Sequence, residues 1–165
     1  MATLFCDPPQ SSAAVNPNGG DILSTMIQGV KEYIAACPLL KEIPLKARHV
    51  DWTSGDANNY GIMFDSDSLV KPFISGGGKR EYNFTLFVRK FAKEDVDRLE
   101  NSEFVERLQD WCGKQNAAKN FPAMPKGCTP TKLSAANGSL FERDKTGNTG
   151  LYQIQFKLSY IKKGS

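Results

Sequence analysis

The chain has 165 residues, a formal net charge of +3 and a hydrophobic fraction of 40%, values that are typical of one globular domain. No apolar run approaches the roughly 20 residues that a membrane-spanning helix needs, so we predict a soluble protein without a membrane partner. The small net charge does not indicate nucleic-acid recognition, which usually needs a strongly basic stripe, but it is compatible with a channel through which DNA merely passes.

The N-terminal region differs in composition from the rest of the chain. Residues 1–20 are rich in proline, serine and glycine and carry little charge, and such a segment cannot bury a packed core of its own. We predict an extended N-terminal arm at 1–20, which is either disordered or ordered against a neighbouring subunit. One domain is predicted at 21–165.

The domain begins with a predicted helix and a predicted hairpin. Apolar residues spaced by three and four positions indicate a helix with Asp21 as its N-cap and Pro38 at its end. The alternating segments KARHVDWT and NYGIMFD predict two strands, and the turn-forming residues between them predict that these strands pair as a hairpin. The polar stretch DSDS that follows is predicted to be a solvated turn.

The segment SGGGKREYNFTLFVRKF, at 75–91, predicts a mobile loop, SGGGKR, that leads into the central strand of the sheet. Apolar residues of this strand alternate on one face: Tyr82, Phe84, Leu86 and Val88. The glycines do not make a phosphate loop, since Phe73 stands where that loop begins with glycine and Arg80 stands where it needs a hydroxyl. We therefore predict no nucleotide and no other cofactor.

A second helix is predicted over KEDVDRLENSEFVERLQDWCGKQ, with Val96 and Leu99 on its apolar face and a candidate break at Asn101–Ser102. The segment TPTKLSAANGSLFERDKTGNTGLYQIQFKLSYIKK predicts two or three strands, with turns at Asn137–Gly138 and at DKTGNTG. Because the helices are too few to alternate with every strand, we predict an α+β fold. In this fold an antiparallel or mixed sheet has two main helices packed on one face.

The sequence offers little for catalysis or metal binding. Its four cysteines form no C-x-x-C pair, and with a single histidine, His49, they do not supply the ligand spacing of a zinc site. No metal is therefore predicted. His49 with a nearby thiol is the remaining candidate for catalysis, but no nucleophile motif accompanies it. We predict that the protein is not an enzyme and retain a small-molecule enzyme as a remote alternative.

The order of the segments is more informative than any one motif. A leading helix, the piece NYGI, the strand containing REYNF, a helix containing LQDWC and the final GLYQIQFKLSY follow one another along about residues 21–163. This succession resembles the tail terminator, or tail completion, proteins of long-tailed bacteriophages, a family of minor capsid proteins. The resemblance implies an α+β fold without catalytic residues.

The same resemblance implies a place in the virion and a set of partners. The subunits would assemble in the host cytoplasm as a ring, commonly a hexamer, that caps the head-proximal end of the tail tube and stops its growth. The ring would bind the tail tube protein and the head connector, and DNA would pass through its lumen without being read. The alternatives within this class are the tail tube subunit and another head–tail joining protein.

A ring would give a use to the open sheet edges and to three polar loops. Neighbouring subunits can pair with the edges of a sheet in a closed ring. The loops TSGDANN, SGGGKR and RDKTGNTG are candidates for contacts with the tube, the next subunit or the lumen. Lys79 and Arg80 are the first choice for lumen cations and Lys145 is the second. The other candidate interface residues are Gly76, Gly77, Gly78, Asp56 and Asn58.

Overall fold

A computed structural model describes residues 25–164 of the chain. Its elements are α1 (Met26–Ala35), two 3₁₀ turns (Pro38–Leu40 and Leu45–Ala47), β1 (Arg48–Val50), β2 (Asn59–Pro72), β3 (Gly77–Phe91), α2 (Asp95–Ala117), β4 (Cys128–Arg143) and β5 (Thr149–Lys163). The strands form one sheet in the order β1-β2-β3-β5-β4. Every pair is antiparallel except β1–β2, so the predicted α+β fold with a mixed sheet is confirmed.

The first helix begins later than its apolar pattern suggests. Thr25 is the N-cap of α1, and its hydroxyl accepts a hydrogen bond from the Gln28 N–H, which is how a threonine cap satisfies a free amide of the first turn. The predicted cap Asp21 and the arm at 1–20 lie outside the described residues.

The two helices cover one face of the sheet and bury a single apolar core. β3 is the middle strand of five, as its composition predicts, and its ring of Phe84 stacks in parallel on Phe156 of β5 with 5.0 Å between the ring centres. The alternating apolar residues of both strands are buried: Tyr82, Phe84, Leu86 and Val88 in β3, and Tyr152, Ile154, Phe156, Leu158 and Tyr160 in β5.

The second helix is continuous through Asn101–Ser102, the candidate position for a break. Asn101 is buried in its middle, and its amide donates to the backbone oxygen of Phe91 at 2.8 Å and to the Tyr152 hydroxyl at 3.3 Å. These bonds satisfy the side chain without disturbing the helix. Neither helix among residues 25–164 combines the length and apolar character of a membrane span.

The predicted apolar face of this helix is wrong in its first turns. Val96 and Leu99 are 64% and 63% exposed, because the face turned to the sheet passes instead through Phe104, Leu108 and Cys112. A continuous helix places the first two residues on the side away from that face.

The predicted hairpin between the first two strands is also wrong. β1 and β2 pair in parallel, with Arg48 opposite Tyr60 and Val50 opposite Ile62. The connecting loop returns the chain to the start of β1, helped by positive φ angles at both of its ends, 55° at Asp51 and 61° at Asn58. The stretch DSDS is not a turn but part of β2, which continues to Pro72.

Near the C-terminus one predicted turn is correct and the other is a bulge. DKTGNTG connects β4 to β5 as predicted, whereas β4 runs through Asn137–Gly138 without turning back. The register shifts between Ala136 and Ser139, and Asn137 takes a φ of 57°, which lets the strand absorb extra residues. Any side chain at Gly138 would collide with Val105 of α2, so the glycine allows the helix to approach.

Candidate functional site

The face of the sheet that the helices leave uncovered is polar and tied together across its strands. The Thr85 hydroxyl donates to Asp65 at 2.7 Å, and the Asn83 amide donates to Ser66 at 3.0 Å. Other polar residues of this open face are Lys79, Glu81, Lys132, Ser134, Gln153, Gln155 and Lys157. The result is a mainly polar surface with a shallow cleft of about 450 Å³, lined among others by Asp65, Asn83 and Lys157. It also includes the aromatic pair Phe87–Phe141, with 5.4 Å between the ring centres.

One end of the open face carries positive charge without a counterion. Lys79 of β3 lies directly opposite Lys71 of β2, so both side chains project from the same face, where like charges repel. Lys163 of β5 lies beside them, opposite Gly77. None of the three lysines forms an ion pair with another of the described residues. Of these three lysines, only Lys79 was predicted as a lumen cation. Lys71 and Lys163 are brought beside it by the pairing of the strands, which the sequence does not reveal.

Arg80 does not belong to this surface. Successive residues of a strand point to opposite faces, so Arg80 lies on the helix side of β3. Its Nε is 3.3 Å from a carboxylate oxygen of Asp67, to which the Tyr160 hydroxyl also donates at 2.8 Å. Burial raises the pKa of Tyr160 to about 12, and the neighbouring carboxylate acts in the same direction. The structure therefore separates the two predicted lumen cations and pairs one of them.

The three glycines belong to a tight hairpin end rather than to a mobile loop. Gly76 and Gly77 have φ angles of 87° and 71°, and Gly77, Gly78 and the residues after them already lie in β3. A side chain at Gly77 would collide with the backbone oxygen of Lys162 in β5. The turn leaves Ile74 fully exposed at its tip. The loop predicted for SGGGKR is therefore wrong from Gly77 onward.

The remaining candidate residues lie at the other end of the sheet. Asp56 and Asn58 line a cleft of about 640 Å³, together with His49 and Trp52. The His49 ring packs edge-on against Trp52 with 4.1 Å between the ring centres. Lys145 is in the β4–β5 turn, beside the end of β3 that is farthest from Lys79. The structure thus distributes the predicted residues over both ends of the molecule.

The two buried cysteines among residues 25–164 give no support to catalysis by a thiol. Burial raises the pKa of Cys112 to about 11 and also raises that of Cys37, so both remain protonated at neutral pH. A nucleophilic cysteine needs the opposite shift, toward the thiolate. These residues act as small apolar side chains of the core.

The two edges of the sheet differ in how far they are covered. β1 pairs with β2 only as far as Ile62, and the Asp51 carboxylate accepts the Phe64 N–H at 3.3 Å. Beyond this point, residues 65–72 have β3 as their one strand partner in the described chain. We call residues 65–72 the open edge.

The β4 edge is irregular and partly covered. Its register shifts three times along the strand, and the side chain of Asn116 in α2 accepts the backbone N–H of Leu133 at 3.0 Å. Bulges and covering side chains are the usual means by which a sheet edge is protected from further pairing. β2 is also irregular, with register shifts between Phe64 and Ser66 and between Leu69 and Lys71. Among residues 25–164 the two edges therefore differ mainly in the cover that α2 gives to β4.

Comparison with known proteins gives a likeness of fold to solved structures. No protein-family model matches the sequence, and the search of curated proteins finds no match. Among solved structures, the fold is similar to a chain described as "Virion of native gene transfer agent (GTA) particle", with a TM-score of 0.56 and 10% sequence identity. The likeness covers 83% of this chain and 95% of that chain. It shows that the two chains share a fold.

Proposed function

We propose that this protein is a structural subunit of a phage-like virion, and specifically the tail terminator that caps the tail tube and joins it to the head. The observation that carries the proposal is the fold shared with a chain of a gene transfer agent virion over nearly all of that chain's length. The order of segments along residues 21–163 supports the same reading. The tail tube subunit is the second candidate, since it would share the general fold but polymerise along the axis.

The open edge is the feature that favours assembly into a ring. A contact between an available edge and a different surface of the next copy is heterologous, and a heterologous contact closes into a ring when its rotation is suitable. We expect a hexamer. The molecule has two dissimilar ends, the exposed Ile74 tip and the turn with Lys145, which would face the tail tube and the head connector in one order or the other.

The distribution of charge favours one orientation of the subunit in the ring. The solvent side of α2 carries more acidic than basic groups, with exposed carboxylates at Glu94, Asp95, Glu100, Glu103, Glu106 and Asp110. Asp95 and Glu103 are paired with Arg98 and Arg107 of the same helix, and the other four form no ion pair among the described residues. The open face of the sheet carries the lysine group Lys71, Lys79 and Lys163. Phosphates attract the lysines and repel the carboxylates, so the open face would line the channel for DNA.

Electron microscopy and native mass spectrometry of the purified full chain test the proposed function. Discrete rings of one stoichiometry are expected, and these rings should cap preformed tubes when the tail tube protein is added. Open-ended tubes made of this chain alone would favour the tube-subunit alternative. A protein that stays monomeric at all concentrations, with or without tube protein, would contradict both.

A further inference from the structure

The open edge is polar at Asp65–Ser68 but carries exposed apolar side chains at Leu69 and Val70, and among residues 25–164 only β3 pairs with it. Leu69 and Val70 are each 51% exposed, and the neighbouring Phe64 is 47% exposed. An edge that combines free backbone groups with exposed apolar side chains is a template for an added strand. A strand laid along it would satisfy the backbone and cover these side chains in one step.

Neither sheet edge of another copy is a good partner for this template. The β4 edge is covered by α2, since its Leu133 amide is already bonded to Asn116 and its Gly138 lies against Val105. Two open edges paired with each other would make a symmetric contact that closes at a dimer, which is incompatible with the proposed ring. The partner is therefore an extended segment.

We propose that residues 2–6 of a neighbouring copy add to the open edge as a sixth strand. This segment, Ala-Thr-Leu-Phe-Cys, is uncharged and contains residues that suit a sheet surface, and Pro8 and Pro9 end it because proline cannot donate to a ladder. Five residues in a strand span about 17 Å, which fits within the roughly 26 Å of an eight-residue edge.

The chain between this segment and the fold is long enough to reach another subunit. Residues 7–24 separate it from Thr25, the cap of α1, and 18 residues span up to about 60 Å when extended. Each copy then donates one strand and accepts one, which gives the head-to-tail contact that a ring needs. The inference rests on the proposed ring, since it names the contact that closes it.

The test compares two full-length variants that carry the same added charge. In Leu4→Asp/Phe5→Asp the donated strand can no longer pack on the edge, whereas the control Ser11→Asp/Ser12→Asp places its charges in the connecting segment. Hydrogen exchange of amides 65–72 and the mass of the assembly are measured for both and for the wild type.

We expect these amides to be protected in wild-type and control rings and to exchange at least about tenfold faster in Leu4→Asp/Phe5→Asp, which should dissociate to monomers. Rings of Leu4→Asp/Phe5→Asp with unchanged edge protection would overturn the donated strand and leave the ring intact. The wild type could also be a monomer whose amides 65–72 are protected and lose this protection in Leu4→Asp/Phe5→Asp. That result would overturn donation between copies, and it would count against the ring as well.

Discussion

The Asp67 carboxylate joins two strands that are not neighbours in the sheet. It lies on β2, pairs with Arg80 of β3 and accepts the hydroxyl of Tyr160 on β5, so one acidic group holds the helix-side surface of three strands. This cluster lies where the helical cover ends. It stabilises the exposed half of the β2–β3 hairpin by polar contacts rather than by a core.

We expect Tyr160→Phe to lower the free energy of unfolding by about 1–2 kcal/mol at pH 7, because the buried side of the Asp67 carboxylate loses its hydroxyl donor. Urea unfolding measures this change. Tyr60→Phe, which removes a buried hydroxyl without a hydrogen-bond partner among the described residues, is the matched control and should have a smaller effect. An equal loss in both variants would contradict a specific role for the hydroxyl.

Tyr160 also makes the free energy of unfolding depend on pH under alkaline conditions. The folded protein raises the pKa of Tyr160 and Tyr82 from 10.0 to about 12, mainly by burial, so above pH 10 the unfolded chain loses these protons first. The contribution of the two tyrosines is therefore fully present below pH 10 and is lost as the pH rises from 10 toward 12, while the buried Cys112, whose pKa is raised from 9.0 to about 11, adds a loss that begins near pH 9. Urea unfolding at pH 8 and pH 11 should show this loss, and Tyr160→Phe should show a smaller one. A stability that is constant over this range would contradict the raised pKa values.

Part of the candidate site could be predicted from the sequence, residue by residue. The alternation of Tyr82, Phe84 and their neighbours, extended backward, places Arg80 on the buried face and Lys79 on the open face. Treating SGGGKR as a loop concealed this separation. Lys71 and Lys163 could not be found in the same way, because their place beside Lys79 depends on the pairing register of three strands.

At the level of elements, the β2–β3 hairpin depends on a glycine conformation. We expect Gly77→Ala to lower the free energy of unfolding by more than about 1 kcal/mol, because its φ is 71° and the added carbon collides with β5. Gly113→Ala is the matched control, since nothing lies within 4 Å of an added carbon there and alanine favours a helix by about 1 kcal/mol. Thermal unfolding should show opposite signs for the two variants.

The second helix depends on one buried amide. We expect Asn101→Ala to lower the free energy of unfolding by about 1–3 kcal/mol, because the backbone oxygen of Phe91 loses its side-chain donor. The neighbouring Ser102→Ala removes only an exposed bond to the Arg98 oxygen and should change stability by less than about 0.5 kcal/mol. Denaturant unfolding distinguishes the two, and equal effects would show that the Asn101 bonds contribute little.

The elements themselves were predicted unequally well. Long periodic segments such as β5 and α2 were identified from their own residues, because burial on one face leaves a repeating pattern. The parallel pairing of β1 and the bulge at Asn137 were not, since both depend on positive φ angles at non-glycine residues. Local composition favours a turn at such positions, and packing decides what forms.

For the whole molecule, the separation of charge makes a prediction about DNA. We expect Lys71→Glu to stabilise the isolated subunit by about 0.2–1 kcal/mol, because it replaces a repulsive pair with Lys79 by an attractive one. The same change should weaken binding of duplex DNA to the ring and lower the slope of log K against log salt by about 1 for each subunit whose Lys71 contacts a phosphate. Lys31→Glu, which makes the same change on α1, is the control. If the slope of log K against log salt is unchanged in Lys71→Glu, the open face is not the surface that binds DNA.

The pairing of β3 with β5 affects the order in which the strands assemble during folding. β2–β3 and β4–β5 are each made of neighbouring segments, whereas β3–β5 joins Gly77 to Lys163 and Phe91 to Thr149. Pairs so distant in sequence form slowly, since the intervening chain must first lose its freedom. Two hairpins should therefore appear early and dock late. Because β5 follows every other strand, β3 in a nascent chain on the ribosome is paired on its β2 side only, and its other side stays open until the last hairpin has emerged.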